Sequence, residues 1–453
     1  MAMPHVAAAP AAHRAGSRGY RRVTAALYGA GLASFAAMYC TQALLPAFST
    51  YYRITPAIAA LSVSLTTGVL ALSVIPASVL SERYGRITVM LTSGVVASLI
   101  GLALPFSPSL GVMLVGRALH GVALAGIPAV AMAFLAEEVH ASSLGSAMGR
   151  YIAGTTVGGL TGRIVPALVV DVSNWRVALL ACSVMTLAGT AVFAVLVPRS
   201  QFFTPKPATA RATVRNVAAH LRNPVLLKLF ALGFALMGAF VTVYNYLGYR
   251  LTAPPFGLSP SVVGLLFVLY LAGTWTSVAA GRLADRRGRA FVLGGALPIT
   301  ATGLLLPVPH SVAAVVVGLG VFTGGFFAAH TVASGWVGAV ARRDRAEASA
   351  LYLFSYYLGG SVAGVFGGLV YGAGGWPATV GFVGALVLVG AALAVLLVRG
   401  TGIPSGAEQL GDLRKELPDT ISEGEGHPQP GQRDEGGADA TTGARICHGC
   451  VSG

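Results

Sequence analysis

Two stretches decide the fold: SVLSERYGRITVML, Ser78–Leu91, and GRLADRRGRAFVL, Gly281–Leu293, which lie just over 200 residues apart. Gly85 matches Gly288, Arg86 matches Arg289, and the acids Glu82 and Asp285 each stand three residues before those glycines. Each stretch is a charged turn between long apolar runs, so each reads as a loop joining two membrane-spanning helices. A second pair of segments repeats at nearly the same offset. YIAGTTVGGLTG from Tyr151 matches YLGGSVAGVFGG from Tyr357, aligning Gly154, Gly158 and Gly162 with Gly360, Gly364 and Gly368. Repetition of this kind signals a chain built from two similar halves.

The composition agrees with that reading. Of 453 residues, 55% are hydrophobic and 10% charged, where a soluble domain carries about 25% charge. A soluble globular protein is excluded. Apolar windows centre near residues 36, 69, 97, 124, 158, 186, 239, 271, 299, 325, 360 and 387, each of about 20 residues and able to cross about 30 Å of hydrocarbon. The expected fold is an all-α polytopic membrane protein with 12 transmembrane helices in two pseudo-symmetric six-helix bundles. The expected divisions are a disordered N-terminal tail, 1–22, a first bundle, 23–198, a linker, 199–225, a second bundle, 226–399, and a disordered acidic tail, 400–453. Residues 1–22 run straight into the first span with no cleavage site for a secretory leader. In the linker, Val214, Val217, Ala218 and Leu221 fall at helical spacing, which predicts an amphipathic helix at the membrane surface.

The formal charge is +14, and the tail after Gly400 is acidic, so the rest of the chain carries +19. That charge is dispersed among loops rather than gathered on one element that could read nucleic acid, so no nucleic-acid partner is expected. Most of the basic residues fall in the loops of one face, against Arg53, Arg176 and Arg250 on the other, which predicts that both termini are cytoplasmic. Cys40 and Cys182 lie inside spans, and Cys447 and Cys450 form one C-H-G-C. A lone CxxC is half a zinc site, and neither a metal nor a disulfide framework is expected.

The repeated G-x-L-A-D-R-x-G-R loop, the R-x-x-H-G of Arg117 to Gly121 and the six-plus-six layout resemble the major facilitator superfamily over roughly residues 22 to 399. Within it the chain looks like the twelve-span drug:proton antiporter type. LYLFSYYLGGSVAG, GFFAAHTVASGW and GGLTGR are similar to segments of the YnfM-like bacterial inner-membrane transporters. The resemblance implies alternating access driven by the proton gradient, with spans 1, 4, 7 and 10 around a central cavity and the repeated loops as a cytoplasmic gate. Glu82, Arg83, Gly85 and Arg86, and Gly281, Asp285, Arg286, Gly288 and Arg289, are the gate residues. Their carboxylates are expected to cap the positive helix N-termini of the opposite half. The first copy departs from the family pattern, with Ser78 for Gly and Glu82 for Asp. Gly154, Gly158, Gly162, Gly360, Gly364 and Gly368 are expected to let helices approach and slide.

Ionisable groups within spans cost several kcal/mol unless partnered, so they are the sharpest pointers to a site. Arg117 and His120 on span 4 share a face, Arg163 lies on span 5 and His330 on span 10. Counting along the helices puts the first three outside the midplane and His330 cytoplasmic to it. No Asp or Glu lies deep in a span, since Glu137, Glu138 and Asp171 fall near helix ends. An organic cation would want a buried carboxylate. The balance favours an anionic, zwitterionic or neutral polar substrate, with Arg117 or Arg163 as counter-ion. Arg163 could instead lock to a carbonyl. His330 reads either as the proton carrier or as an interhelical hydrogen-bonder. Tyr39, Gln42, Tyr244, Asn245, Tyr356 and Tyr357 would complete the cavity.

The function expected is a secondary active transporter of the bacterial cytoplasmic membrane, monomeric and without cofactor, exporting a drug, sugar or organic anion in exchange for protons. Import by symport is the alternative. An enzyme is not expected, because no nucleophile with a base, metal cluster or phosphate loop is arranged in the spans.

Overall fold

In the computed structural model, residues 12–203, 210–307, 311–341 and 345–400 are described. They are almost wholly helical, and a helix stands at each of the twelve apolar windows. Span 1 is Arg18–Tyr52, span 2 Pro56–Tyr84, span 3 Arg86–Phe106, span 4 Leu110–Glu138, span 5 Ala141–Val172 and span 6 Trp175–Leu196. Span 7 is Pro224–Thr252, span 8 Pro260–Arg287, span 9 the shorter Arg289–Leu305 and span 10 Val312–Val340. Spans 11 and 12 share Arg345–Gly400, which breaks at Gly374 and Gly375, the latter with φ 61°. A further helix, Ala210–Leu221, lies between the two sets of six.

The first span begins earlier than the sequence suggested. Ser17 caps a helix that starts at Arg18, Tyr20 is buried, and His13 exchanges backbone hydrogen bonds with Glu138 and His140. Part of the expected disordered tail is therefore ordered, because backbone pairing and a cap give residues 13–22 partners. The remainder of that tail, residues 1–11, and the expected C-terminal one, 401–453, with its C-H-G-C, lie outside the described residues.

Spans 1, 4 and 8 depart from a continuous α-helix, as does span 3 at its end, Leu104–Phe106. Span 1 passes through a 3-10 turn at Gln42–Leu44, span 8 through another at Leu266–Leu269, and span 4 restarts at Gly126. Irregular backbone at membrane depth is tolerated where protein buries it or a cavity adjoins it. The 3-10 turns of spans 1 and 8 lie in the seam between the halves.

One end of the bundle, here the basic end, holds the turns at Gly85 and Gly288; the other is the far end. The halves join toward the far end. There span 5 packs on the first piece of span 8, Pro260–Leu265, span 2 on span 11, and the end of span 1 on span 7. Hydrogen bonds join Ser49 to Tyr249 at 2.7 Å, Tyr249 to the Leu45 carbonyl at 2.8 Å and Ser361 to the Ser64 carbonyl at 2.6 Å. The lower piece of span 8, Tyr270–Arg287, packs on spans 9 and 10 of its own half.

Candidate functional site

Arg163 stands in the seam and is 3% exposed. Its Nε donates to Gln42 Oε1 at 2.5 Å and its Nη1 to the Gly159 carbonyl at 2.5 Å. The guanidinium lies 3.8 Å from the centre of the Tyr39 ring, 4.8 Å from Tyr270 and 5.4 Å from Phe267. These rings come from spans 1 and 8, one in each half. Gln42 in turn donates from Nε2 to Asn245 Oδ1 at 2.8 Å. A chain of hydrogen bonds thus runs from span 5 through span 1 to span 7 and crosses between the halves.

The direction of that chain follows from chemistry. Arginine only donates, so Gln42 must offer its oxygen to Arg163 and its amide hydrogens to Asn245. Asn245 accepts with Oδ1, and its buried Nδ2 makes no hydrogen bond. Ser64 Oγ is likewise without a partner. Both lie beside Gly364, 3.3 and 3.2 Å from where a Cβ would stand. Next to the chain lies a cavity of about 390 Å³ whose lining includes Gln42, Pro46, Thr50, Tyr244, Phe267 and Gly264. That is the size of a small-molecule site.

Arg117 is placed differently from the sequence expectation. It is 0% exposed and lies inside the first bundle, away from the seam. Nε donates to the Ser62 carbonyl at 2.8 Å, Nη2 to the Met38 carbonyl at 2.8 Å and Nη1 to the Ala37 carbonyl at 3.1 Å. A guanidinium committed to carbonyls of spans 1 and 2 has nothing left for a substrate, so it locks the bundle. His120 follows it. Its Nδ1 lies 3.0 Å from Arg117 Nη1 and must be the acceptor, so a second ring proton would break that bond. His120 is 1% exposed and adjoins only a small void beside Cys40, Cys182 and Ser183.

His330 is half-buried, with Nδ1 3.0 Å from the Tyr352 hydroxyl. Its ring lies 4.5 Å from Tyr356 and 6.0 Å from Phe326. Tyr356 meets Tyr357 edge-on, and Phe326 stacks on Phe240 at 3.9 Å. Tyr244 bonds Thr323 at 2.7 Å and stacks on Phe267. The second half thus presents an aromatic wall that reaches from His330 to the cage around Arg163.

The repeated turns hold Gly85 at φ 93° and Gly288 at φ 86°, a region open to glycine and strained for other residues. Arg86 bonds Ser81 at 2.6 Å, Glu82 at 2.6 Å and Glu137 of span 4 at 2.9 Å. The expected cap on the opposite half is therefore not what Glu82 makes here, because Arg86 of its own turn holds it. Arg83 lies over the Tyr84 ring. In the second copy Asp285, Arg286 and Arg289 are exposed and Gly281 has open space around it.

The glycine rows also divide. Gly154, Gly158 and Gly162 face the backbone of Tyr28, Leu32 and Ala36, turn by turn along span 1. In span 11 the backbone approach to span 7 falls one residue earlier than expected, at Gly359 against Phe234. Gly360 meets side chains of Met237 and Val241, while Gly364 and Gly368 turn to Ser64 and Ala57 of span 2 across the seam.

The sequence profile of the Major Facilitator Superfamily matches residues 27–253 and 249–418. The chain belongs to the Major Facilitator Superfamily. It is 39% identical to an uncharacterized MFS-type transporter, YybF, of Bacillus subtilis over 398 residues, 88% of this chain and 98% of that one. It is 40% identical to the inner membrane transport protein YnfM of Escherichia coli over 374 residues, 83% of this chain and 89% of that one. A bacterial homolog of the human lysosomal transporter Spinster, solved inward-facing and unoccupied, shares the fold with TM-score 0.68 at 17% identity, covering 85% of this chain and 98% of that one. A peptide transporter POT solved with sulfate gives 0.67 at 13%, covering 86% and 95%.

As a member of this superfamily the protein is a multi-pass secondary transporter that moves a small molecule by alternating access. Its described helices bring Arg163, Tyr39, Gln42 and Asn245 together, put Tyr356, Tyr357 and His330 on one wall and leave Arg117 and His120 apart from them. Phe267 and Tyr270 escaped the sequence reading, since within LLFVLYLAG they look like lipid-facing apolar residues. Glu138, which the sequence places near a helix end, has a role that the sequence reading did not assign. It is 0% exposed and its Oε1 accepts from Ser200 Oγ at 2.5 Å and from the Gln201 amide at 2.8 Å, fixing the start of the linker.

Proposed function

We propose that this transporter exports a small organic anion or polar neutral molecule across the bacterial cytoplasmic membrane in exchange for protons. It acts as a monomer, without a cofactor, with both termini in the cytoplasm. The observation that carries the reading is Arg163, a buried cation in the seam with no carboxylate beside it. Among the described residues the ion pairs are those of Arg86 with Glu82 and Glu137. A buried charge left to aromatic faces and amide oxygens is one that an anion would complete. The crowding of basic residues at one end supports placing that end in the cytoplasm. With contacts gathered at the far end, the state described is then inward-facing.

His330 is the proton carrier in this reading, since it is an ionisable ring in a span, hydrogen-bonded to the Tyr352 hydroxyl and set against Tyr356 on the aromatic wall of the second half. Proteoliposomes holding a pH-sensitive dye, challenged with organic anions, sugars and organic cations, test the scheme. Anions or polar neutrals should move protons in the wild type, Arg163→Gln should abolish the signal, and His330→Ala should change its pH profile. A signal with cations alone would overturn the anion reading. A His330→Ala profile superimposable on the wild type would remove that histidine from coupling.

A further inference from the structure

Arg163 is held by its neighbours in a way that gives the bound ligand something to do. Its in-chain oxygen acceptors are an uncharged amide, Gln42 Oε1, and a backbone carbonyl, Gly159 O. A carboxylate makes hydrogen bonds to guanidinium roughly twice as strong as a neutral acceptor does, and can make two in parallel. Gln42 is therefore the weaker partner in any competition for Arg163. Gln42 is also the middle member of the chain that ties span 1 to span 7, and it sits on a 3-10 turn at the edge of the cavity.

The rings around Arg163, of which Phe267 also lines the cavity, say what else the ligand is made of. Tyr39, Tyr270 and Phe267 surround the guanidinium, and Tyr356 and Phe326 continue the aromatic surface to His330. Flat apolar surface stacks on such rings, while a sugar would want several polar side chains converging on it. The polar groups at this point, Gln42, Asn245 and Arg163, are bonded to one another along one line, with Asn245 Nδ2 and the nearby Ser64 Oγ left without partners.

We propose that the substrate is a planar aromatic carboxylate, and that its carboxylate takes Arg163 from Gln42 and so releases the hydrogen-bonded chain that holds spans 1 and 7 together at the far end. This rests on the reading of the protein as a transporter of anions and adds the chemical class and the event that opens the closed side. Losing Arg163 frees Gln42 to turn. The tie to Asn245 then has no charged donor fixing its orientation, and the far ends of the halves can part. Ligand binding and opening share one residue, as population shift requires of a ligand that must favour one state.

The exchange predicts opposite signs for two changes at one position. In the full chain reconstituted in nanodiscs, 2-naphthoate should bind, and the uncharged 2-naphthamide should bind at least tenfold more weakly. Gln42→Ala removes the competitor and should tighten 2-naphthoate severalfold. Gln42→Glu gives Arg163 a permanent carboxylate and should weaken it at least tenfold, as should Arg163→Gln. Spin labels on Ser173→Cys and Ala253→Cys, exposed in opposite halves at the far end, report the opening once Cys447 and Cys450 are replaced by serine. 2-Naphthoate should lengthen their separation, and the amide should not.

Unchanged 2-naphthoate affinity in Gln42→Glu, or binding with no lengthening, would overturn the exchange. Proton movement with sugars or aliphatic acids and none with 2-naphthoate would overturn the aromatic class while leaving the transporter reading intact. Binding and lengthening as described, with no proton movement for any compound, would instead remove proton-coupled export and leave the exchange standing.

Discussion

Two arginines of the same half stand in different surroundings, and the difference lies in what their nitrogens touch. Arg117 donates to three carbonyls of neighbouring helices from inside the bundle, whereas Arg163 donates to a side-chain amide and the Gly159 carbonyl in the seam. Arg117→Gln should therefore act on stability, leaving buried carbonyls unsatisfied at about 1–3 kcal/mol each. Thermal unfolding in detergent should show a clear fall in Tm. Arg117→Lys should recover only part of it, since an ammonium has three donors and no fork. Arg163→Gln should keep most of the Tm and lose transport. The reverse pattern would exchange the two assignments.

At the scale of elements, small residues decide how closely helices lie. Gly158 faces the Leu32 backbone, so Gly158→Val must force spans 1 and 5 apart and should abolish stable expression. Gly281 has nothing within reach of a Cβ, and Gly281→Ala should leave expression and fold unchanged. Gly85→Ala should cost about 1–3 kcal/mol, because φ 93° with ψ 147° is a conformation almost restricted to glycine. The start of the linker is held by the Glu138 carboxylate. Glu138→Ala removes the oxygen that accepts from Ser200 and the Gln201 amide, and should free the start of the linker. Faster tryptic cleavage after Arg199, which is exposed beside Ser200, is the readout. A cleavage rate equal to that of the wild type would mean that the clasp does not restrain the linker.

At the scale of the whole molecule, alternating access requires the far-end contacts to break in every cycle. Spans 2 and 11 offer a direct check. A Cβ on Gly68 would lie 3.3 Å from Ser361 Cβ, near the 3.5–4.5 Å of a disulfide. Gly68→Cys with Ser361→Cys, in a chain lacking Cys447 and Cys450, should cross-link on oxidation, stop transport, and recover with reductant. Transport that continues in the cross-linked protein would show that spans 2 and 11 stay together throughout. Asp285→Asn tests the basic end. Asp285 is exposed here, and a role in the opposite state predicts slower transport with unchanged Tm.

The sequence by itself determined the parts that depend on local composition and repetition. Apolar length fixed twelve helices because hydrocarbon demands about 20 residues per crossing, and the matched turns at Gly85 and Gly288 revealed two halves because positive φ leaves few residues but glycine. It also singled out Arg163, Gln42, Tyr39 and Asn245, since polar groups in a span are costly and conspicuous. Only the tertiary structure decided what they meet. Arg117 and Arg163 look alike in a linear chain, and which one faces the seam depends on helix rotation, set by packing such as Gly154, Gly158 and Gly162 against span 1. Phe267 and Tyr270 became a cage only when span 8 met span 5. The hydrogen-bonded chain through Gln42 joins residues 203 positions apart in sequence at its second link, a proximity that no local pattern encodes.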